Sequence, residues 1–230
     1  YNIYNFTYPK EKIEWNILES NDNSLTDSEM LFNDKSEITD LEEKLGIKIK
    51  YEYIDNEMSI GKKRNWLSNT SSHGYLINMD DDDLYLPTYL NHSIDILMNT
   101  NKSITGCLDM LFIYPEKNYQ MSFIRCVRDF KLYHEATLCM KKEFFMRCNQ
   151  YNNSNKGEGK NMYKNYKSKC GMSDIKKCMI CVCWDGNTVN KDKFLDNKIN
   201  MNIRGDSLNI LKKIFNNSKM ETIKEDTKNI

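Results

Sequence analysis

The apolar positions of this chain change period repeatedly, and the changes mark its elements. Ile13 to Glu19 reads as a strand that runs into a polar loop, Ser20 to Asp34. Ser36 to Leu45 reads as a helix, with acidic residues where its N-terminus is positive and Gly46 just past its end. Ile47 to Tyr53 alternates apolar residues with Lys or Glu, the pattern of a half-buried strand. Ile60 to Ser72 is helical. Gly74 then punctuates before a strand, Tyr75 to Met79, which ends in the acidic run Asp80 to Asp83. Pro87 is expected to open a helix reaching Met98, because proline suits a first turn.

Beyond residue 100 the strands shorten and look antiparallel: Ile104 to Cys107, Met110 to Tyr114 and Met121 to Val127. Ala136 to Met140 is strand-like and leads into a short helix, Lys142 to Cys148. A polar, glycine-bearing loop follows, Tyr151 to Lys160, then a helical turn or two over Asn161 to Tyr166, then a Cys-rich strand ending near Trp184. Asp206 to Ile230 opens with amphipathic spacing and ends charged, as a helix fraying into a tail would. A βαβ-like first half and a mixed second half predict one α/β domain over residues 1–205, with its ligand edge at the strand ends, and a 206–230 tail.

Composition narrows the class. The 230 residues carry 33 basic and 33 acidic side chains, a net charge of zero that argues against a strongly basic nucleic-acid or membrane-surface binder. The longest apolar run, Cys178 to Trp184, is far shorter than the roughly 20 residues of a membrane-spanning helix. The first residue is Tyr1, so the sequence reads as a piece of something longer. Eight cysteines without a signal peptide read as buried thiols in a reducing, cytoplasmic compartment, viral or host. A zinc site joining Cys170 to the Cys178 to Cys183 run is the alternative, but Cys181-Val182-Cys183 is tight for tetrahedral ligation.

The chemistry concentrates in two segments. Four consecutive carboxylates, Asp80 to Asp83, follow an apolar strand, and their repulsion needs a compensating charge. A solvated acidic turn is the ordinary reading of such a run. At the carboxyl end of a buried strand, a hard divalent cation is the better one. The second segment, Ile60-Gly61-Lys62-Lys63-Arg64-Asn65, puts three cations at a helix start that is already positive. Either it is a lysine-rich surface turn, or an anion such as phosphate sits there.

Together, Gly61-Lys62-Lys63-Arg64-Asn65 and Asp80-Asp81-Asp82-Asp83-Leu84-Tyr85-Leu86-Pro87 resemble the paired motifs of GT-A glycosyltransferases of family 2, and the Asn- and Lys-rich dress is similar to that of giant-virus members. The resemblance covers about Tyr1 to Thr188. It implies an α/β, GT-A-like mixed sheet flanked by helices, with the first strand lying before Tyr1. It also implies a hexosyl transfer from a nucleotide-sugar donor, UDP-linked, to a glycan or protein hydroxyl, with inversion and with Mn²⁺ or Mg²⁺. No nucleic acid and no membrane span is expected.

Residue by residue, Asp82 resembles the metal ligand and Asp80 the aspartate that reaches ribose, sugar and metal. Arg64 resembles the arginine near base and diphosphate. Asp81 and Asp83 are expected to hold the loop or bind through water. Glu19, with Ser20, stands where the family carries two base-contacting aspartates, and Asp22 could replace it after a register shift. The catalytic base is expected at Glu158, in a mobile Gly157-Glu158-Gly159 loop, with Glu135 of His134-Glu135-Ala136-Thr137 as runner-up. Trp184 stands where related chains carry a metal-assisting histidine, and Asp185 could supply an oxygen instead. Two other readings remain at this stage: a sugar-phosphate nucleotidyltransferase, and a non-catalytic GT-A-like domain that binds a glycan or protein.

Overall fold

The computed structural model describes residues 1–20, 30–126, 129, 133–184 and 191–196. Its strands are β1 (Glu14–Ser20), β2 (Lys48–Ile54), β3 (Tyr75–Ile77), β4 (Leu84–Tyr85), β5 (Ile104–Gly106), β6 (Met110–Tyr114), β7 (Gln120–Ile124), β8 (Cys139–Lys141), β9 (Cys170–Met172) and β10 (Met179–Val182). The helices are α1 (Asn2–Asn5), α2 (Lys35–Leu45), α3 (Ile60–Thr70), α4 (Tyr89–Asn99), α5 (Lys142–Arg147) and α6 (Ile175–Cys178). Asp206 to Ile230, Asp22 and Asp185 lie outside the described residues.

β1 and β2 pair in parallel, with α2 in the crossover between them. Asp34 caps α2 by accepting from the N–H groups of Ser36 and Glu37. Gly46 ends it at φ 67°, where its N–H returns to the Glu42 carbonyl. Glu14 then fastens this unit to the α3–β3 turn. Its side chain is 5% exposed, pairs with Lys50 at 3.0 Å and accepts from Ser72 N–H at 2.8 Å.

Two four-stranded sheets complete the fold, ordered β3-β8-β5-β9 and β4-β10-β6-β7. The mixed character expected from sequence is present, since each holds parallel and antiparallel pairs. One core gathers Ile3, Ile49, Tyr85, Tyr89, Phe112 and Ile180. A second gathers Leu76, Ile104, Leu138, Met140, Phe145 and Tyr163. Each such large apolar side chain stabilises by about 1.5–3 kcal/mol when fully buried. Among the described residues, no helix is long and apolar enough to cross a membrane.

Some boundaries differ from expectation for tertiary reasons. Pro87 does not open α4. Its carbonyl turns to the Thr7 N–H, Leu86 N–H bonds the Cys178 carbonyl, and the helix begins at Tyr89. β3 ends at Ile77; the Asn78 N–H still bonds the Leu138 carbonyl at 2.9 Å, and its side-chain amide donates to the Glu135 carbonyl and the Tyr151 hydroxyl. The Cys-rich strand is β10 alone, four buried residues, with Cys178 closing α6. All eight cysteines are free thiols, and six of them are buried.

Candidate active site

The acidic run becomes a short turn from the end of β3 to β4, and buried hydroxyls shape it. Tyr85 accepts from the Asp80 N–H at 2.8 Å and donates to the Ala136 carbonyl at 3.0 Å. Tyr89 donates to the Asn78 carbonyl at 3.0 Å. Burial raises both phenols well above their ordinary range, so they stay protonated donors. Asp83 turns inward, accepts from the Val182 N–H at 3.0 Å, and so clips the turn to β10. Burial, with Cys181 and Asp82 nearby, pushes its carboxyl up to about 9, which leaves it neutral at pH 7.

The other three carboxylates face outward to different degrees. Asp80 is partly exposed, and Asp81 and Asp82 are exposed. The Asp82 carboxyl is raised by partial burial and by the charges of Asp80 and Asp81, with Lys191 pulling the other way. Carboxylate oxygens of this kind are the ligands that a hard divalent cation takes. Among the described residues no group of three or more His, Cys, Asp or Glu could hold a metal alone. Asp80 and Asp82 are two carboxylates, so a cation held by them would need further oxygens from a ligand.

Arg64 organises the centre. Its Nη2 stands 2.9 Å from Asp80 Oδ1 and its Nε 2.9 Å from Glu158 Oε1, in a side chain only 11% exposed. Burial works against its charge, but Asp80, Tyr151 and Glu158 outweigh it and hold the guanidinium protonated. The Nε contact is an ion pair without hydrogen-bond alignment. Arg64 thus ties the end of β3 to Glu158, a residue distant from both in sequence.

The Glu158 loop differs from the expected mobile flap. Glu158 is 4% exposed, and α3 grips the loop from several sides. Asn65 donates to the Tyr151 carbonyl and accepts from the Tyr151 N–H, both at 2.9 Å. Ser59 donates to Asn153 Oδ1 at 2.6 Å, Ile60 N–H bonds Asn155 Oδ1 at 2.9 Å, and Gly61 N–H bonds the Ser154 carbonyl at 3.1 Å. These bonds weigh against the anion alternative at the α3 start. With Ser59 Oγ on the Lys62 N–H, the orphan donors of that helix end already have partners. Gly61 is needed for another reason: a Cβ there would lie 1.7 Å from the Asn152 carbonyl oxygen.

Glu135 sits beside this pair, half-buried on the turn before β8. Its backbone carbonyl accepts from Asn78 Nδ2 at 2.7 Å. Burial and the Glu158 charge raise its carboxyl, while the Gly159 N–H and Arg64 act in the opposite direction. Tyr163, 1% exposed, adds a buried hydroxyl without a hydrogen-bond partner to the same neighbourhood. Sequence reasoning passed over it, because a lone Tyr among Asn and Lys carries no motif.

Glu19 has a different setting. Its carboxylate accepts from the Tyr51 hydroxyl at 2.5 Å and the Leu31 N–H at 3.0 Å, which ties β1 to β2 and to the chain entering α2. Burial, then the Glu19 bond, pushes the Tyr51 hydroxyl up to about 12. Trp184 is 47% exposed at the end of the described β10 segment.

In fold the chain is similar to a mannosyltransferase, PcManGT from Pyrobaculum calidifontis, solved in complex with GDP-Man and Mn²⁺. The TM-score is 0.53 at 14% identity, over 84% of this chain and 52% of that one. It also matches S. aureus TarS 1-349, at TM-score 0.47 and 9% identity, over 74% of this chain and 60% of that one. The TarS complex with UDP-GlcNAc gives the same score and identity, over 82% and 62%. No protein-family profile and no curated protein sequence matches. The fold is therefore that of GT-A glycosyltransferases, in a chain spanning about half the length of PcManGT.

Proposed function

We propose that this GT-A-fold chain transfers a hexose from a UDP-linked donor to an acceptor hydroxyl, with inversion and with a divalent cation. The observation that carries the reading is the Asp80–Arg64–Glu158 array at the β3 end, with Glu135 beside it. The likeness to PcManGT, solved with GDP-Man and Mn²⁺, supports a nucleotide-sugar donor and a cation.

Mn²⁺ or Mg²⁺, when bound by Asp80 and Asp82, supplies Lewis-acid neutralisation of the leaving diphosphate. Arg64 adds fixed positive charge at the same edge and costs no reorganisation, since Asp80 and Glu158 already hold it. The acceptor oxygen bonds to the anomeric carbon as the bond from that carbon to the diphosphate breaks, and a carboxylate takes the acceptor proton. The geometry favours Glu135 for the proton. Glu158 is buried and committed to Arg64, whereas Glu135 is half-buried and its proton affinity is raised towards the working pH. Glu158 then positions Arg64 and supplies the charge that raises Glu135.

A thermal-shift panel of nucleotide sugars with and without Mn²⁺ tests the donor half, because a ligand that binds only the folded state raises the melting temperature by mass action. A UDP-sugar with Mn²⁺ should give the largest rise, and Asp82→Ala should abolish it. A panel without any rise refutes donor binding.

A further inference from the structure

The charge around this site is segregated in a way the transfer chemistry does not require. The chain is neutral overall. Yet from residue 149 to 169 every exposed charge is a lysine: Lys156, Lys160, Lys164 and Lys167. The segment's one carboxylate, Glu158, is buried and paired with Arg64.

These lysines stand on or after the loop that carries Glu158. Lys156 follows the 152–155 stretch docked on the first turn of α3, and that turn exposes Lys62. Lys160 folds over the residue before Glu158, since a Cβ on Gly157 would come within 3.1 Å of its Nζ. Lys164 follows Tyr163, whose ring edge lies against Gly159. Between described residues the ion pairs are Lys50–Glu14, Arg64–Asp80 and Arg64–Glu158, and none of them involves these lysines.

We infer that the acceptor is an anionic glycan, bearing uronate or phosphate groups, drawn to the Glu135 side of the site by Lys62, Lys156, Lys160 and Lys164. The inference rests on the glycosyl-transfer reading and names its acceptor class. Ionised carboxylates or phosphates are opposite in charge to these four exposed ammonium groups, so an anionic acceptor gains an attraction that a neutral one does not. Clustered like charges raise the local concentration of an oppositely charged substrate, and salt screens the effect. Net neutrality and the place of the patch beside the site favour a glycan over nucleic acid or a lipid surface.

The test is fluorescence anisotropy with labelled oligogalacturonate, against neutral oligodextran, a DNA duplex and phosphatidylglycerol vesicles. Oligogalacturonate should bind, weaken at least tenfold between 50 and 500 mM salt, and outcompete the other three. The triple variant Lys156→Glu/Lys160→Glu/Lys164→Glu should lose binding at least tenfold. The glutamine triple should lose less, in the same direction. A control triple of equal charge change, Lys35→Glu/Lys44→Glu/Lys48→Glu, should bind as wild type does. The inference is overturned if the rim variants bind normally, if the control triple weakens binding equally, or if DNA or vesicles bind more tightly. Oligogalacturonate binding without any turnover of nucleotide sugars would instead sink the transfer reading and leave an anion-binding surface.

Discussion

Glu135 and Glu158 lie close together in different surroundings, and the proposed function gives them different work. Glu135→Gln should lower transfer by about 10²- to 10⁴-fold, the usual worth of a positioned base, with donor affinity little changed. Glu158→Gln should do something a purely structural residue would not. It removes the negative neighbour that raises Glu135, so the rising limb of the kcat/KM profile should move to lower pH. The groups facing Glu135 are Glu158, Arg64, the Gly159 N–H, Tyr151 and Tyr163, and only the first changes in that variant. An unmoved limb would put the proton elsewhere. Gly61→Ala should be costly despite its small size. The Cβ meets backbone, not a flexible side-chain end, so the 152–158 loop must lift from α3. A loss of about 1–3 kcal/mol in urea unfolding is expected, with a larger fractional loss of activity.

The elements that were legible are those whose own residues define them. α2 shows its cap at Asp34 and its stop at Gly46, and β1 and β2 show their period. β4, β9 and α6 run two to four residues and exist because distant chain pairs with them, so no local period announces them. Two joints between elements are pH-sensitive. Burial resists ionisation of Glu14, but Ser72, Lys50 and Asn16 outweigh it and bring the carboxyl from 4.5 to about 2. Its contribution is therefore full above pH 4.5 and lost as pH falls towards 2. Glu14→Gln should cost about 1–3 kcal/mol at pH 7 and flatten acid unfolding there. His92 of α4 works at milder pH. Its Nε2 accepts from the Asp174 N–H at 3.0 Å at the head of α6, which requires the neutral ring. Burial, then Lys177, hold its proton affinity below the ordinary 6.5, against Asp174 and Asp95. Stability should fall as pH drops through 6.5 towards the folded value, and His92→Gln should remove that part of the slope in urea midpoints taken from pH 7.5 to 5.5.

At the scale of the molecule, the sequence displayed the parts of the site but not their joints. Asp80, Arg64, Glu135 and Glu158 all stood out by type and neighbours. That Arg64 would bridge Asp80 to Glu158 was illegible, because 94 residues of separation carry no contact information. The same gap explains why the helix start left a surface turn and an anion site as open alternatives: the space Gly61 leaves is filled by a backbone carbonyl from residue 152, which local sequence does not announce. Arg64 therefore joins the β3 end to the Glu158 loop through one side chain, and the proposed function requires both to serve one reaction. The most direct measurement is release of free nucleoside diphosphate from a panel of nucleotide sugars with Mn²⁺, for wild type, Asp82→Ala and Arg64→Lys. The account predicts release from a UDP-sugar that requires Mn²⁺, disappears with Asp82→Ala, and falls by at least tenfold with Arg64→Lys, which keeps the charge but cannot span both carboxylates. Release that is absent for every donor, or unchanged in both variants, would contradict it.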